Sequence, residues 1–91
     1  MSEAQKVLLV TGGSRGIGAA VCRLGAKAGY CLAVNYAANK AAADLLVTEI
    51  KAAGGDAFAV KGDVGSEADI IAIFEAVDRT YGRLDAFVNN A

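Results

Sequence analysis

The sequence lacks histidine and proline altogether and carries only two cysteines in 91 residues. Without histidine, this stretch of chain holds no Ser-His-Asp triad, no Cys-His pair and no histidine metal site. Cys22 and Cys31 match neither a Cys-x-x-Cys motif nor a secreted disulfide framework; in their apolar surroundings they read as buried, reduced thiols. The absence of proline and of low-complexity tracts, with 55% hydrophobic and 21% charged residues, fits one compact globular domain. There is neither an apolar run of membrane length nor a charged-then-apolar leader, so no membrane partner and a cytoplasmic location are expected. Nine Lys and Arg oppose ten Asp and Glu, for a net charge of −1, and the basic residues are scattered. That argues against a nucleic-acid partner and for a small molecule.

The apolar segments alternate between two periods. Residues 6–11 form a β-branched run that enters the glycine cluster Gly12-Gly13-Ser14-Arg15-Gly16-Ile17-Gly18. Over 17–28, the apolar and small residues Ile17, Ala20, Val21, Leu24 and Ala28 recur at helical spacing and Gly29 supplies a stop, which predicts the first helix. Residues 31–36 read as a strand, and about 40–53 as a helix with Asn39 as N-cap and Gly54-Gly55 at its end. A strand over 57–61 and a helix over 67–81 follow, the helix capped by Ser66 and stopped by Gly82. Ser66 with Asp69 is a capping-box variant, and Glu75 with Arg79 is spaced as a helical ion pair. Residues 84–88 form the last strand, before Asn89-Asn90-Ala91. Mostly apolar strands alternating with helices imply a doubly wound α/β fold with a parallel sheet, strand order 3-2-1-4. Right-handed crossovers put the first two helices on one face and the third on the other, which leaves apolar strand surface uncovered.

Tyr36 and Lys40 stand four residues apart, a spacing that in a helix would set an ammonium beside a phenol, favour its ionised form and make it a proton-transfer group. With Asn39 as the cap, however, Tyr36 ends a strand and Lys40 opens the next helix, so the two share no helical face. Both stay near the crevice at the strands' carboxyl ends, where such sheets bind ligands.

The glycine cluster is neither the common dinucleotide fingerprint nor the phosphate loop of NTPases. Gly12, Gly16 and Gly18 form G-x-x-x-G-x-G between a strand and a helix, which aims backbone N–H groups and a helix dipole at one place. A pyrophosphate suits that place; the plainer alternative is a tight turn with close helix packing. The acid-rich 63–69 stretch lacks the alternating ligands of a calcium loop, and no metal is expected.

On these motifs the chain resembles the short-chain dehydrogenase/reductase family, whose members bind NAD(H) or NADP(H) on a Rossmann fold. Thr11-Gly12-Gly13-Ser14-Arg15-Gly16-Ile17-Gly18 looks like its T-G-x-x-x-G-I-G cofactor motif. Asp63-Val64 looks like the acidic residue and its partner after strand three, and Asn89-Asn90-Ala91 like the start of N-N-A-G after strand four. The resemblance covers the whole chain but only the amino-terminal part of a typical member, so residues 1–91 are expected to be the cofactor-binding portion of a single domain, truncated after strand four.

The resemblance implies that Asp63 accepts a hydrogen bond from the adenine amino group while the Val64 backbone meets the ring edge. Asn90 and Ala91 would turn backbone groups to a ribose, and Asn89 would tie neighbouring strands together. For Asp63 the plain alternative is a surface turn, and for Arg15 an exposed solubilising charge. NAD-binding folds of this kind place an acid at the end of the second strand, but Asn35, Tyr36, Ala37 and Ala38 are uncharged. Arg15 resembles the basic residue that holds a 2′-phosphate, so NADP is expected over NAD. The cofactor-binding candidates are therefore Gly12, Ser14, Arg15, Gly16, Ile17, Gly18, Asn35, Tyr36, Asp63, Val64, Asn90 and Ala91.

The family's catalytic serine, its Tyr-x-x-x-Lys pair and its active-site asparagine belong beyond residue 91, so no catalytic residue is assigned. The expected protein is an NADP-dependent oxidoreductase that interconverts a carbonyl and an alcohol, a homo-oligomer when complete. A non-catalytic NADP-binding or sensing module and a scaffold with a vestigial site are the alternatives.

Overall fold

The computed structural model describes residues 5–90. In chain order it contains β1 (Val7–Thr11), α1 (Gly16–Lys27), β2 (Cys31–Tyr36), α2 (Lys40–Ala52), β3 (Ala57–Lys61), α3 (Glu67–Tyr81) and β4 (Ala86–Asn89). The four strands form one parallel sheet in the order β3-β2-β1-β4. This is the expected doubly wound, Rossmann-like arrangement.

Local chemistry sets most of the boundaries. Asn39 Oδ1 accepts from Ala42 N–H at 3.0 Å and starts α2; Ser66 Oγ accepts from Asp69 N–H at 3.3 Å and starts α3. Gly82, at φ +73°, closes α3 in the left-handed region. The capping box at α3 is only half formed, because the Asp69 carboxylate accepts from Asp63 N–H instead of Ser66 N–H. Nor do Glu75 and Arg79 pair: among the described residues the ion pairs are Arg23–Glu49, Lys40–Asp44 and Arg83–Asp85. Both side chains are exposed, where solvation competes with a contact that contributes little.

β4 begins two residues later than its apolar run suggests. Asp85 is occupied by a latch to the start of β1: its N–H donates to Val7 O at 3.0 Å and its Oδ2 accepts from Val7 N–H at 2.7 Å.

β1 and β2 are buried on both faces, whereas β4 has no buried residue. Leu8, Val10, Leu32 and Val34 pack under α1 and α2 with Cys22, Ala43, Leu46 and Ile50. Val7, Leu9, Cys31 and Ala33 face the other way, against Ile73 and Val77 of α3. α1 forms where its periodicity predicts, but the large residues of that pattern do not face the sheet. Ile17 and Leu24 are 75% and 67% exposed, and the buried positions are Gly18, Ala19, Cys22 and Gly25. α1 lies so close to the sheet that only small side chains fit beneath it, so the larger ones are turned outward. On the α3 side, Phe74 and Phe87 stack edge-to-face at 5.7 Å yet remain partly exposed.

Candidate functional site

The carboxyl end of β1 runs straight into the glycine turn. Gly12 takes φ +60°, a conformation most residues avoid. A Cβ on Gly18 would run into the Gly12 carbonyl oxygen and lie 2.8 Å from Asn90 Nδ2, so the first turn of α1 fits only without a side chain there. α1 is the one helix among the described residues whose N-cap, Arg15, gives no side-chain cap hydrogen bond. Its first N–H groups and the positive end of its dipole are left facing the turn.

Two asparagines bracket the Gly12 peptide. From β2, Asn35 Oδ1 accepts the Gly12 N–H at 3.2 Å; from the end of β4, Asn90 Nδ2 donates to the Gly12 carbonyl at 3.2 Å. Thr11 joins β1 to β4 from the same level. Its Oγ1 donates to Asn89 Oδ1 at 2.9 Å and accepts from Asn90 N–H at 2.9 Å. Asn89 thus ties neighbouring strands, as expected of it. Thr11 does more than complete the glycine motif: a polar side chain at the end of an apolar strand, 3% exposed, is the sequence signal of a strand tie.

An open cleft of about 520 Å³ lies between the glycine turn and the end of β2, lined by Gly12, Arg15, Ala37, Ala38 and Asn39. Arg15 is exposed, and no carboxylate lines the cleft. The Lys40 ammonium is turned to its own helix, 2.7 Å from Asp44 Oδ2, and chiefly that hydrogen bond raises its pKa.

The remaining candidates are distributed differently. Asp63 follows β3 with its Oδ1 accepting from Gly65 N–H at 2.8 Å, which fixes the carboxylate in a local turn. The Val64 side chain faces away, into an apolar cleft of about 320 Å³ with Leu9, Phe74 and Phe87. Ser14 faces a shallow groove between α1 and α2, with Leu45 and Thr48. Tyr36 is in the core, 7% exposed, and the Asn35 amide is buried and bonded on both ends. The side chains of these two cofactor-binding candidates thus pack within the protein or bond to its backbone. Ala91 lies outside the described residues. Beneath the turn, Cys22 Sγ sits 3.8 Å from the Gly13 carbonyl, and burial pushes its pKa up to about 12, so it is an inert packing group.

Residues 6–91 match the short chain dehydrogenase family. The chain is 49% identical over 86 residues to an uncharacterized oxidoreductase of Methylorubrum extorquens, covering 94% of this chain and 35% of that one. It is 42% identical over 91 residues to the short-chain dehydrogenase/reductase homolog YusS of Bacillus subtilis, covering all of this chain and 84% of the relative. The crystal structure of a short chain dehydrogenase from Burkholderia cenocepacia in complex with NADP superposes with a TM-score of 0.91 at 37% identity, over 99% of this chain and 37% of that one. The chain therefore spans about a third of the length of several relatives and most of another. Matched along nearly its whole length in sequence and in fold, the chain belongs to the short-chain dehydrogenase/reductase family.

Proposed function

We propose that this chain forms the adenosine-binding half of an NADP(H)-dependent oxidoreductase that interconverts a carbonyl and an alcohol. The observation that carries the cofactor preference is Arg15: an exposed guanidinium at a cleft whose β2 side offers no carboxylate. A 2′-phosphate there meets a fixed cation and no like charge, whereas NAD loses the acidic partner its 2′-hydroxyl needs. The NADP bound by the Burkholderia protein at 37% identity supports the same reading.

The residues present fit such a cofactor. Gly12, Gly16 and Gly18 keep the turn free of side chains, so that the open N–H groups of α1 approach the pyrophosphate, and Ser14 and Ile17 belong to the same turn by their backbone. Asp63 accepts from the adenine amino group, the Val64 backbone meets the ring edge, and the backbone of Asn90 meets a ribose. Asn35 and Tyr36 shape the floor from within the core. When bound, the nicotinamide supplies or takes the hydride; proton transfer and substrate binding belong to residues beyond 91, in one domain with this portion. The complete protein is a cytoplasmic homo-oligomer in this reading.

Arg15→Ala tests it. A hydrogen bond to a charged group contributes roughly 1.5–3 kcal/mol, so NADP(H) affinity should fall about 10- to 100-fold while NAD(H) affinity holds. Fluorescence titration of both cofactors against both proteins reads the result. An equal loss for the two would remove the phosphate-binding role.

A further inference from the structure

Asn35 is the polar interruption in Cys31-Leu32-Ala33-Val34-Asn35-Tyr36, and it is 2% exposed. A buried amide is costly unless it is bonded. Here every bond goes to backbone. Oδ1 accepts from Gly12 N–H at 3.2 Å, and Nδ2 donates to Val60 O at 3.2 Å and Gly62 O at 3.1 Å. The residue's own carbonyl accepts from Gly13 N–H at 2.9 Å. The amide orientation follows from its partners, since an N–H needs the oxygen and two carbonyls need the nitrogen.

The position of these bonds matters more than their number. The β1–β2 register ends at Val10↔Val34 and the β2–β3 register at Tyr36↔Lys61. Beyond those points the chain leaves β1 toward the glycine turn and leaves β3 toward Asp63 and Val64. β2 is the strand between them; backbone bonds run on one step to each side, from Gly13 N–H to Asn35 O and from Gly62 N–H to Tyr36 O, both at 2.9 Å, and the Asn35 side chain adds bonds to Gly12 on one side and to Val60 and Gly62 on the other.

We infer that Asn35 is a positioning residue that touches no ligand and fixes the span between the phosphate-facing glycine turn and the adenine-facing turn after β3. This rests on the NADP reading above. A ligand that bridges both turns needs them at one separation, while a ligand that touches one turn does not. Asn90, which holds the Gly12 carbonyl from β4, is the opposite jaw of the same clamp.

Two variants separate the bonds. Asn35→Asp keeps an acceptor for Gly12 N–H but sets a carboxylate against the Val60 and Gly62 carbonyls; Asn35→Leu removes both sides. In the full chain, Asn35→Asp should lower the affinity for NAD+ as well as for NADP+ at least about tenfold, NAD+ carrying no 2′-phosphate for the new carboxylate to repel, while inorganic pyrophosphate, which reaches only the glycine turn, binds within about threefold of wild type. Asn35→Leu should weaken both. NADP+ affinity unchanged in Asn35→Asp, a loss confined to NADP+ with NAD+ affinity kept, or an equal loss for the dinucleotides and pyrophosphate overturns the inference.

Hydrogen exchange on the unliganded wild-type protein decides the matter if the variants do not fold. The Gly12 amide and the Asn35 side-chain amide should be protected before any ligand is added, and exchange at the rate of an open loop overturns the tie. A wild-type protein that binds neither NADP+ nor NAD+ defeats the cofactor reading alone, and these two exchange rates still decide whether the turns are tied.

Discussion

Tyr36 and Lys40, four residues apart, occupy different elements and face different partners. Tyr36 closes β2 inside the core, and Lys40 opens α2 with its Nζ on Asp44. The catalytic spacing is present without the shared helical face that would let the ammonium hold the phenol. Tyr36→Phe should therefore leave NADP(H) affinity, and turnover in a complete enzyme, within about threefold, well short of the ~1.4 kcal/mol that a tenfold change represents. Steady-state kinetics beside a binding titration checks this. A collapse of turnover with binding intact would return the pair to the active site.

Gly18 separates the turn's shape from its charge. An added Cβ meets the Gly12 carbonyl and Asn90 Nδ2, both of them fixed in the clamp, so backbone has to move. Gly18→Ala should cost about 1–3 kcal/mol of stability and weaken NADP(H) and NAD(H) alike, unlike Arg15→Ala. Chemical denaturation and paired titrations read the two effects. Selective loss of NADP(H) alone would contradict the steric account.

Element order, sheet topology and the caps at Asn39 and Ser66 were legible because each rests on a local signal: a period, a stop glycine or a side-chain oxygen placed before a helix. The face of α1 was not. Periodicity of apolar residues chose Ile17 and Leu24, whereas the approach of helix to sheet selected the small residues Gly18, Ala19, Cys22 and Gly25. Hydrophobicity alone does not tell how close two elements lie. In the site, the glycine turn and Arg15 could be read from one contiguous motif, but the part played by Asn35 depends on Gly12 and Gly62, 23 and 27 residues away, which meet it only once three strands are aligned. The latch at Asp85 was hidden likewise, because its partner Val7 is 78 residues distant.

That latch carries a pH signature. The Arg83 guanidinium first, and then the Val7 N–H, hold the Asp85 carboxyl below its ordinary value of 3.8. A carboxyl whose folded pKa is depressed stabilises the fold above its unfolded value and loses that contribution as pH falls through the folded one. Asp85→Asn keeps an acceptor for Val7 N–H but removes the charge, and Asp85→Ala removes both. The difference in melting temperature between wild type and Asp85→Asn should therefore be constant from neutral pH to about pH 4 and shrink below it. Comparing the two proteins at each pH cancels the parallel effect of Glu49, whose carboxyl is depressed chiefly by its hydrogen bond to Arg23. Asp85→Ala should melt lower than Asp85→Asn at every pH, since the Val7 N–H loses its partner at the start of β1. Thermal unfolding by circular dichroism across that range measures both. A difference that persists undiminished into strong acid would show that the charge of Asp85 does not hold β4 to β1, and that the neutral hydrogen bonds alone do so.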